Sequence, residues 1–284
     1  MGGYQRPATV ENALALAARG ATLLAGGTDY YPVRVARPLR TGPDEMVLDL
    51  SGVVGLGGIA ERDEDWRIGA ATTWTTVAEA RLPPQFVALQ LAAREIGGRQ
   101  IQNRATVGGN IANASPAADG VPPLMSLGAR VEVCGAGGKR TLPIAEFIIG
   151  PRQTALASGE ILTAVLVPKS TPGVETRSHF LKLGARASLV ISIVMVAGVI
   201  ETRAGLISAA RIAVGACSPV ALRLPDLEQA LIGRVCDTSL ATVVAPQHLA
   251  ALAPIDDVRA TAGYRRQAAL TLTRRLLETL GDAA

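Results

Sequence analysis

Aromatic side chains make up only 3% of the 284 residues: two Trp, four Tyr and three Phe. That scarcity argues against a protein that grips nucleic acid by stacking bases. Charge of one sign is missing too. Twenty-eight Lys and Arg against 24 Asp and Glu leave a net +4, and no run of like charge interrupts the chain. The paired arginines Arg265–Arg266 and Arg274–Arg275 fall in a helical pattern and read as a solvated face. The small positive excess suits a phosphate-bearing ligand without demanding one. Cysteine is rare, with Cys134, Cys217 and Cys236 standing alone and no CxxC, and there are only two histidines, His179 and His248. No disulfide framework, zinc site or iron–sulfur site is expected in this chain. The longest apolar run, 189–200, is broken by Ser192 and is shorter than the ~20 residues that span a bilayer. No leader pattern opens the sequence, so a cytoplasmic protein is expected, periplasmic only if a partner carries the export signal. No GxGxxG turn links a first strand to a helix, and no Gly-Lys-Ser/Thr occurs, so neither a Rossmann fingerprint nor a Walker loop is present.

What is present is ample for a core: 49% of the residues are hydrophobic, and the length fits one large or two modest domains. The 30 Gly and 17 Pro are scattered rather than periodic, which leaves a globular chain. Thr9 caps a helix running to residue 19, and Gly20 stops it. Strands follow at 22–25, 46–50 and 66–70, then helices near 75–81 and 85–96. Residues 99–120 are small and polar between confident elements and read as an ordered binding loop. A hairpin (130–134 with 139–142) and a strand at 161–167 close the first half. The Lys169-Ser-Thr-Pro-Gly173 stretch is the linker. Beyond it come three long strands (179–183, 189–200, 206–216). Helices then follow at 227–231, 238–249 and 264–280, the last with Ala269, Leu272, Leu276 and Leu280 on one stripe. Strands followed by helices give an α+β layout.

Two segments carry chemistry. In Leu24-Ala25-Gly26-Gly27-Thr28-Asp29 a strand runs into two glycines, a hydroxyl and a carboxylate. Glycines let backbone N–H groups approach a phosphate and reach φ > 0. Thr28 can donate to a phosphate oxygen, and Asp29 more plausibly accepts from a hydroxyl or from loop amides. A tight strand-to-helix turn uses the same residues, so this loop alone is a weak sign. The second segment, Thr106-Val107-Gly108-Gly109-Asn110, repeats the pattern, with Asn113, Ser115 and Asp119 downstream. Two matched loops fit a diphosphate flanked by two sugar-like chains, as in FAD.

Three runs together resemble the FAD-binding subunits of molybdenum hydroxylases, the xanthine dehydrogenase and carbon monoxide dehydrogenase family. They are Ala25-Gly-Gly-Thr-Asp29, the run from Ile96 through Thr106-Val-Gly-Gly-Asn-Ile111, and Ser115-Pro116 with Asp119. The likeness continues through Phe147-Ile-Ile-Gly-Pro151, Glu160-Ile-Leu162, Phe180-Leu-Lys182 and Tyr264-Arg-Arg266, and covers essentially the whole chain. It implies an α+β fold. A two-part FAD-binding domain of the vanillyl-alcohol-oxidase (PCMH) type, residues 1–170 with parts at about 1–55 and 56–170, would precede a C-terminal flavoprotein domain over 171–284. That second domain would hold a three-stranded antiparallel sheet and helices. The resemblance places Leu24, Ala25, Gly26, Gly27, Thr28 and Asp29 in the first pyrophosphate loop and Thr106, Gly108, Gly109 and Asn110 in the second. It gives Asp119 as a sugar-binding carboxylate and Ile96 beside the flavin. Leu162 would make an apolar contact and Lys182 would be a basic residue near the ring, with Asn113 a looser match. It implies electron transfer from iron–sulfur clusters of a small subunit, fed by a molybdenum cofactor in a large subunit, through FAD to an external acceptor. Such complexes are commonly dimers of heterotrimers, with no nucleic acid and no membrane span. No His or Cys stands where a covalent flavin link is expected, so FAD would be non-covalent; no catalytic side chain and no metal are expected here. Tyr30-Tyr31-Pro32 departs from the aliphatic residues usual after the first loop, and both a flavin contact and a structural role stay open for the tyrosines. A free-standing flavin oxidase would need an aromatic-rich cap domain, which the last ~115 residues do not resemble, and a non-catalytic module would bind no flavin.

Overall fold

The computed structural model describes residues 3–36 and 45–282; the Met1-Gly2 start and the last two residues of the expected C-terminal domain lie outside the described residues. The chain does not run straight into a helix at its start. Strand β1 (Gly3–Gln5) comes first, followed by α1 (Val10–Ala17) with Thr9 accepting from the Asn12 N–H as N-cap. Then come β2 (Thr22–Leu24), α2 (Tyr30–Ala36) and β3 (Met46–Asp49). The three strands form a parallel sheet in the order β1-β3-β2. Ala13, Ala17, Leu48 and Leu56 are the buried centre beneath it.

The second part is a five-stranded antiparallel sheet with helices folded over it. Its elements are β4 (Ile59–Glu61), β5 (Asp65–Gly69), α3 (Trp74–Glu79), α4 (Val87–Glu95), α5 (Arg99–Gln102), α6 (Val107–Asn113) and α7 (Val121–Ser126). The hairpin β6 (Arg130–Gly135) and β7 (Gly138–Pro143) follows, then α8 (Ile144–Phe147), β8 (Ile148–Gly150), β9 (Gln153–Thr154) and β10 (Ile161–Pro168). Sheet order is β4-β5-β10-β6-β7. Half of the expected binding loop at 99–120 is helical, in α5 and α6. Short polar helices of four and seven residues carry no full apolar period, so composition alone reads them as loop.

The last part is one antiparallel sheet in the order β11-β12-β13-β14: β11 (Glu175–Leu183), β12 (Val194–Arg203), β13 (Leu206–Gly215) and the two-residue β14 (Leu222–Arg223). The sheet thus has four strands rather than three, the extra one too short to leave a sequence signal. Helices α9 (Pro225–Leu231) and α10 (Ala262–Asp282) follow, and the helix expected at 238–249 is two 3-10 turns, Thr238–Val243 and Pro246–Leu249. Strand β12 explains the apolar run that ends at residue 200. Val194, Val196 and Ile200 pack with the Ala269-Leu272-Leu276-Leu280 stripe of α10, while Met195 and Ala197 pack with Ala88 and Ala92 of α4. A strand buried on both faces has no polar alternation to show. The run's first five residues are not strand: Leu189 sits at φ 55 in a turn ahead of it.

Candidate functional site

The four glycines of the two loops do three different jobs. A Cβ on Gly26 would lie 2.0 Å from the Arg104 carbonyl oxygen, and one on Gly108 would lie 2.7 Å from that of Ala70. Both positions are therefore closed to any side chain, because backbone meets backbone there. Gly27 has φ +76, and a Cβ on it would strike the Tyr31 ring. Gly109 is different. Its Cβ would meet only the Thr106 hydroxyl at 2.9 Å and the Ala25 Cβ at 3.9 Å, so its bare face looks across at the first loop.

The second loop is pinned from behind. Val107 and Gly108 donate their N–H groups to the carbonyls of Thr72 and Ala70, and Trp74 donates to Ala105. Gly109 donates to the Thr106 hydroxyl oxygen at 3.1 Å, the N-cap bond of α6. The amides of this helix end are thus spent on the scaffold, unlike the matched amide donors expected of both loops. In the first loop, among the described residues, no acceptor meets the N–H of Gly26, Gly27, Thr28 or Asp29. An anion cradle is therefore one-sided: free amides from the first loop, hydroxyl and amide side chains from the second.

Between the loops runs a cleft of about 570 Å³, within the range of small-molecule and cofactor sites. Leu24 through Asp29 form one wall. Thr106, Gly108, Gly109, Asn110 and Asn113 form the other, and Ile96 and Leu162 line it as well. Thirteen of the fifteen expected site residues therefore meet in one place. Leu162 is presented by a bulge in β10 between Leu162 and Ala164. The bulge is held by a buried network in which Thr163 Oγ1 donates to Glu132 Oε1 at 2.7 Å and Arg67 pairs with the same oxygen at 3.2 Å. Burial alone would raise the Glu132 carboxyl, but the bonds from Thr163 and Arg67 outweigh it and hold it below its usual value.

Asp119 and Lys182 are the two that the structure does not bring to the cleft wall. Lys182 Nζ lies 2.7 Å from Asp119 Oδ2, with both side chains under a tenth exposed, and Ser192 donates to Asp119 Oδ1 at 2.5 Å. The physical reason is plain: a buried carboxylate needs a cation and a buried ammonium an anion, and these two satisfy each other. Burial pushes the Asp119 carboxyl up, against the pull of Lys182 and Ser192. Lys182 also donates to the Glu95 carbonyl at 3.3 Å, one residue before Ile96. The pair therefore joins β11 to the helix end that carries a cleft-lining side chain.

Arg152 and Arg34 also line the cleft and have no place in the sequence reading, in which the role of Tyr30 stays open. Arg152 sits at φ 61, its N–H bonds the carbonyl of Ala114 at 2.8 Å, and Ala114 is itself left-handed at φ 47. Such strain in non-glycine residues concentrates at functional positions. The Arg152 guanidinium bonds Asn113 Oδ1 and lies 3.8 Å from Asp29, bridging the two walls. The Gly150-Pro151 signature ended one residue short of it. Tyr30 lines the cleft as well.

The residues fit a dinucleotide. Beyond the free amides, Asn110 Oδ1 is buried with no hydrogen-bond partner among the described residues, and an orphaned buried acceptor costs ~1–3 kcal/mol unless a ligand donor meets it. The aliphatic side chains of Ile96, Ile101, Leu156 and Leu162 supply an apolar surface next to this polar cradle. No cluster of metal-ligating side chains occurs among the described residues, and no helix there is long and apolar enough to cross a membrane.

Fold and cleft together define a flavin-nucleotide-binding protein with two glycine loops and a C-terminal α+β unit. Residues 1–170 match the family described as the FAD binding domain in molybdopterin dehydrogenase, and residues 179–280 match the CO dehydrogenase flavoprotein C-terminal domain. The chain belongs to this family, the FAD-binding medium subunits of molybdenum hydroxylases. It is 31% identical to the nicotine 6-hydroxylase medium subunit of Paenarthrobacter nicotinovorans over 98% of this chain and 96% of that protein. It is also 31% identical to the putative xanthine dehydrogenase FAD-binding subunit of Escherichia coli over 99% and 96%. Among solved structures, the reconstituted CO dehydrogenase from Oligotropha carboxidovorans superposes with a TM-score of 0.87 at 29% identity, covering 99% of this chain and 98% of that one.

Proposed function

We propose that this chain is the FAD-carrying electron-transfer subunit of a molybdenum hydroxylase complex. The observation that carries the reading is the pair of loops, with Gly109 bare toward Ala25 and the first-loop amides free of acceptors among the described residues. When bound, FAD would supply the redox chemistry linking an iron–sulfur small subunit, fed by a molybdenum-cofactor large subunit, to an external acceptor. The residues of this chain bind and orient. The first-loop amides and the hydroxyls of Thr28 and Thr106 hold the diphosphate. Asn110 and Asn113 take hydroxyls of the linking sugars, and Asp29 joins them through Arg152. Ile96 and Leu162 pack on the flavin and exclude water from it. Asp119 and Lys182 serve the site from behind its wall, by fixing the carbonyl that precedes Ile96. No side chain here need move a proton on the organic substrate, whose choice belongs to the large subunit. A free-standing oxidase would need a substrate face on the last unit, yet both faces of its sheet are covered, by α10 and by α4. A dimer of heterotrimers in the cytoplasm completes the reading.

The test is the visible spectrum of the purified chain after incubation with FAD and desalting. Flavin bands that persist through desalting, and leave with the solvent on denaturation, establish non-covalent FAD. A chain that stays colourless both alone and when reassembled with its partner subunits overturns the reading.

A further inference from the structure

The cleft lining has two chemically different parts. Ile96, Ile101 and Leu162 belong to an aliphatic one. In the other, α2 presents Tyr30 and Arg34, with the Arg34 Cζ 3.5 Å from the centre of the Tyr30 ring. Tyr31 braces that ring edge-on, 5.3 Å between centroids at 90°. Glu45 forms an ion pair with Arg34, and its carboxyl is held below its usual value by Arg34 and the Thr22 hydroxyl. The guanidinium is therefore fixed flat, with one face on the phenol and one edge on a carboxylate. It keeps 27% of its side-chain surface exposed and lines the cleft beside the first loop. The face turned away from Tyr30 is the one left for a ligand.

We propose that Tyr30 and Arg34 form the purine subsite of this cleft, stacking the adenine of FAD and selecting FAD over FMN. The inference rests on the FAD reading above. A planar, weakly hydrated guanidinium stacks on π systems as an ammonium does not, and base stacking on such platforms is worth roughly 1–3 kcal/mol per base. Tyr30 acts by holding the plane, and Glu45 by fixing its rotation. The aliphatic part is left for the larger isoalloxazine, and the diphosphate lies at the two loops. These residues stand where an aliphatic pair would offer the base no cation and no aromatic face.

The experiment is a titration of flavin-stripped full-length protein with FAD, FMN and ADP, followed by flavin fluorescence, with ADP read as a competitor. Arg34→Lys, Arg34→Ala, Tyr30→Leu and Tyr30→Phe are compared with the parent. Arg34→Lys and Tyr30→Leu are expected to raise the Kd for FAD and the inhibition constant for ADP about tenfold or more, leaving the Kd for FMN unchanged; Tyr30→Phe should bind like the parent. Lysine keeps the charge, so a loss with Arg34→Ala but none with Arg34→Lys would mean a phosphate contact and overturn the purine subsite. Equal losses for FAD and FMN, or FAD binding unchanged in Arg34→Lys and Tyr30→Leu, would overturn it as well. A parent protein that binds no flavin fails the FAD reading instead, a separate outcome.

Discussion

Gly109→Val is expected to abolish FAD binding and leave the fold standing. The branched side chain enters the space between the loops, where only the Thr106 hydroxyl at 2.9 Å and the Ala25 Cβ at 3.9 Å now face it. Both neighbours are small side-chain atoms, and the rest of the new volume falls in the cleft. In the proposed site the diphosphate fills that volume. An affinity loss of at least about a hundredfold, roughly 3 kcal/mol, is expected. The melting temperature of the flavin-free protein should move by no more than ~2 °C, since valine costs a helix no more than the glycine it replaces. The comparison must be made without flavin, because bound FAD raises the apparent stability of whichever variant holds it. Gly26→Ala is the contrast. Its single methyl would sit 2.0 Å from the Arg104 carbonyl oxygen, so the backbones must part, at ~1–3 kcal/mol or more. That variant should lose stability and FAD together. Full FAD stoichiometry in Gly109→Val would remove the second loop from the diphosphate site.

The different fates of these two glycines mark what the sequence could and could not tell. Both loops were legible, because two adjacent glycines with a threonine beside them are a local pattern with a local reason. That Gly26 and Gly108 serve backbone contacts while Gly109 faces the first loop was not legible, since it depends on residues 70 and 104, remote in sequence. The same holds for Arg152, whose strained φ of 61 leaves no compositional trace. Long elements were readable from periodicity, as the α10 stripe shows. The helices α5 and α6 were not, at four and seven residues. Asp119 and Lys182 were singled out as functional, but their partnership spans 63 positions, and no spacing rule connects a loop carboxylate to a strand lysine. What the resemblance offered there was two separate cofactor contacts. What it could not convey was that each is the other's counter-ion.

Lys182→Met is expected to destabilise the protein by ~3–5 kcal/mol, the cost of leaving one member of a buried pair without the other. In a chain of this size that lowers the melting temperature by roughly 10 °C. The loss has a pH signature. With Lys182 gone, Asp119 keeps Ser192 and its burial, so its folded pKa rises further above the ~3.9 of an unfolded aspartate. An acid whose folded pKa is raised binds protons more tightly when folded. Stability is therefore greatest below the unfolded value and falls as pH climbs toward the folded one. The gap between variant and parent should widen from pH 4 upward, and urea melts across pH 4–8 measure it. Pairing Lys182→Met with Asp119→Leu should restore most of the stability, since an apolar pair of similar volume often replaces a buried ion pair without net cost. The same variants decide how the pair serves the cleft. If it acts by fixing the Glu95 carbonyl ahead of Ile96, Asp119→Ala loses stability first and FAD affinity only as the wall loosens. If Asp119 bonds the cofactor's sugar directly, Asp119→Ala weakens FAD by ~1–3 kcal/mol even at temperatures where the variant is fully folded. The buried 2.7 Å contact with Lys182 and the absence of Asp119 from the cleft lining among the described residues favour the first outcome.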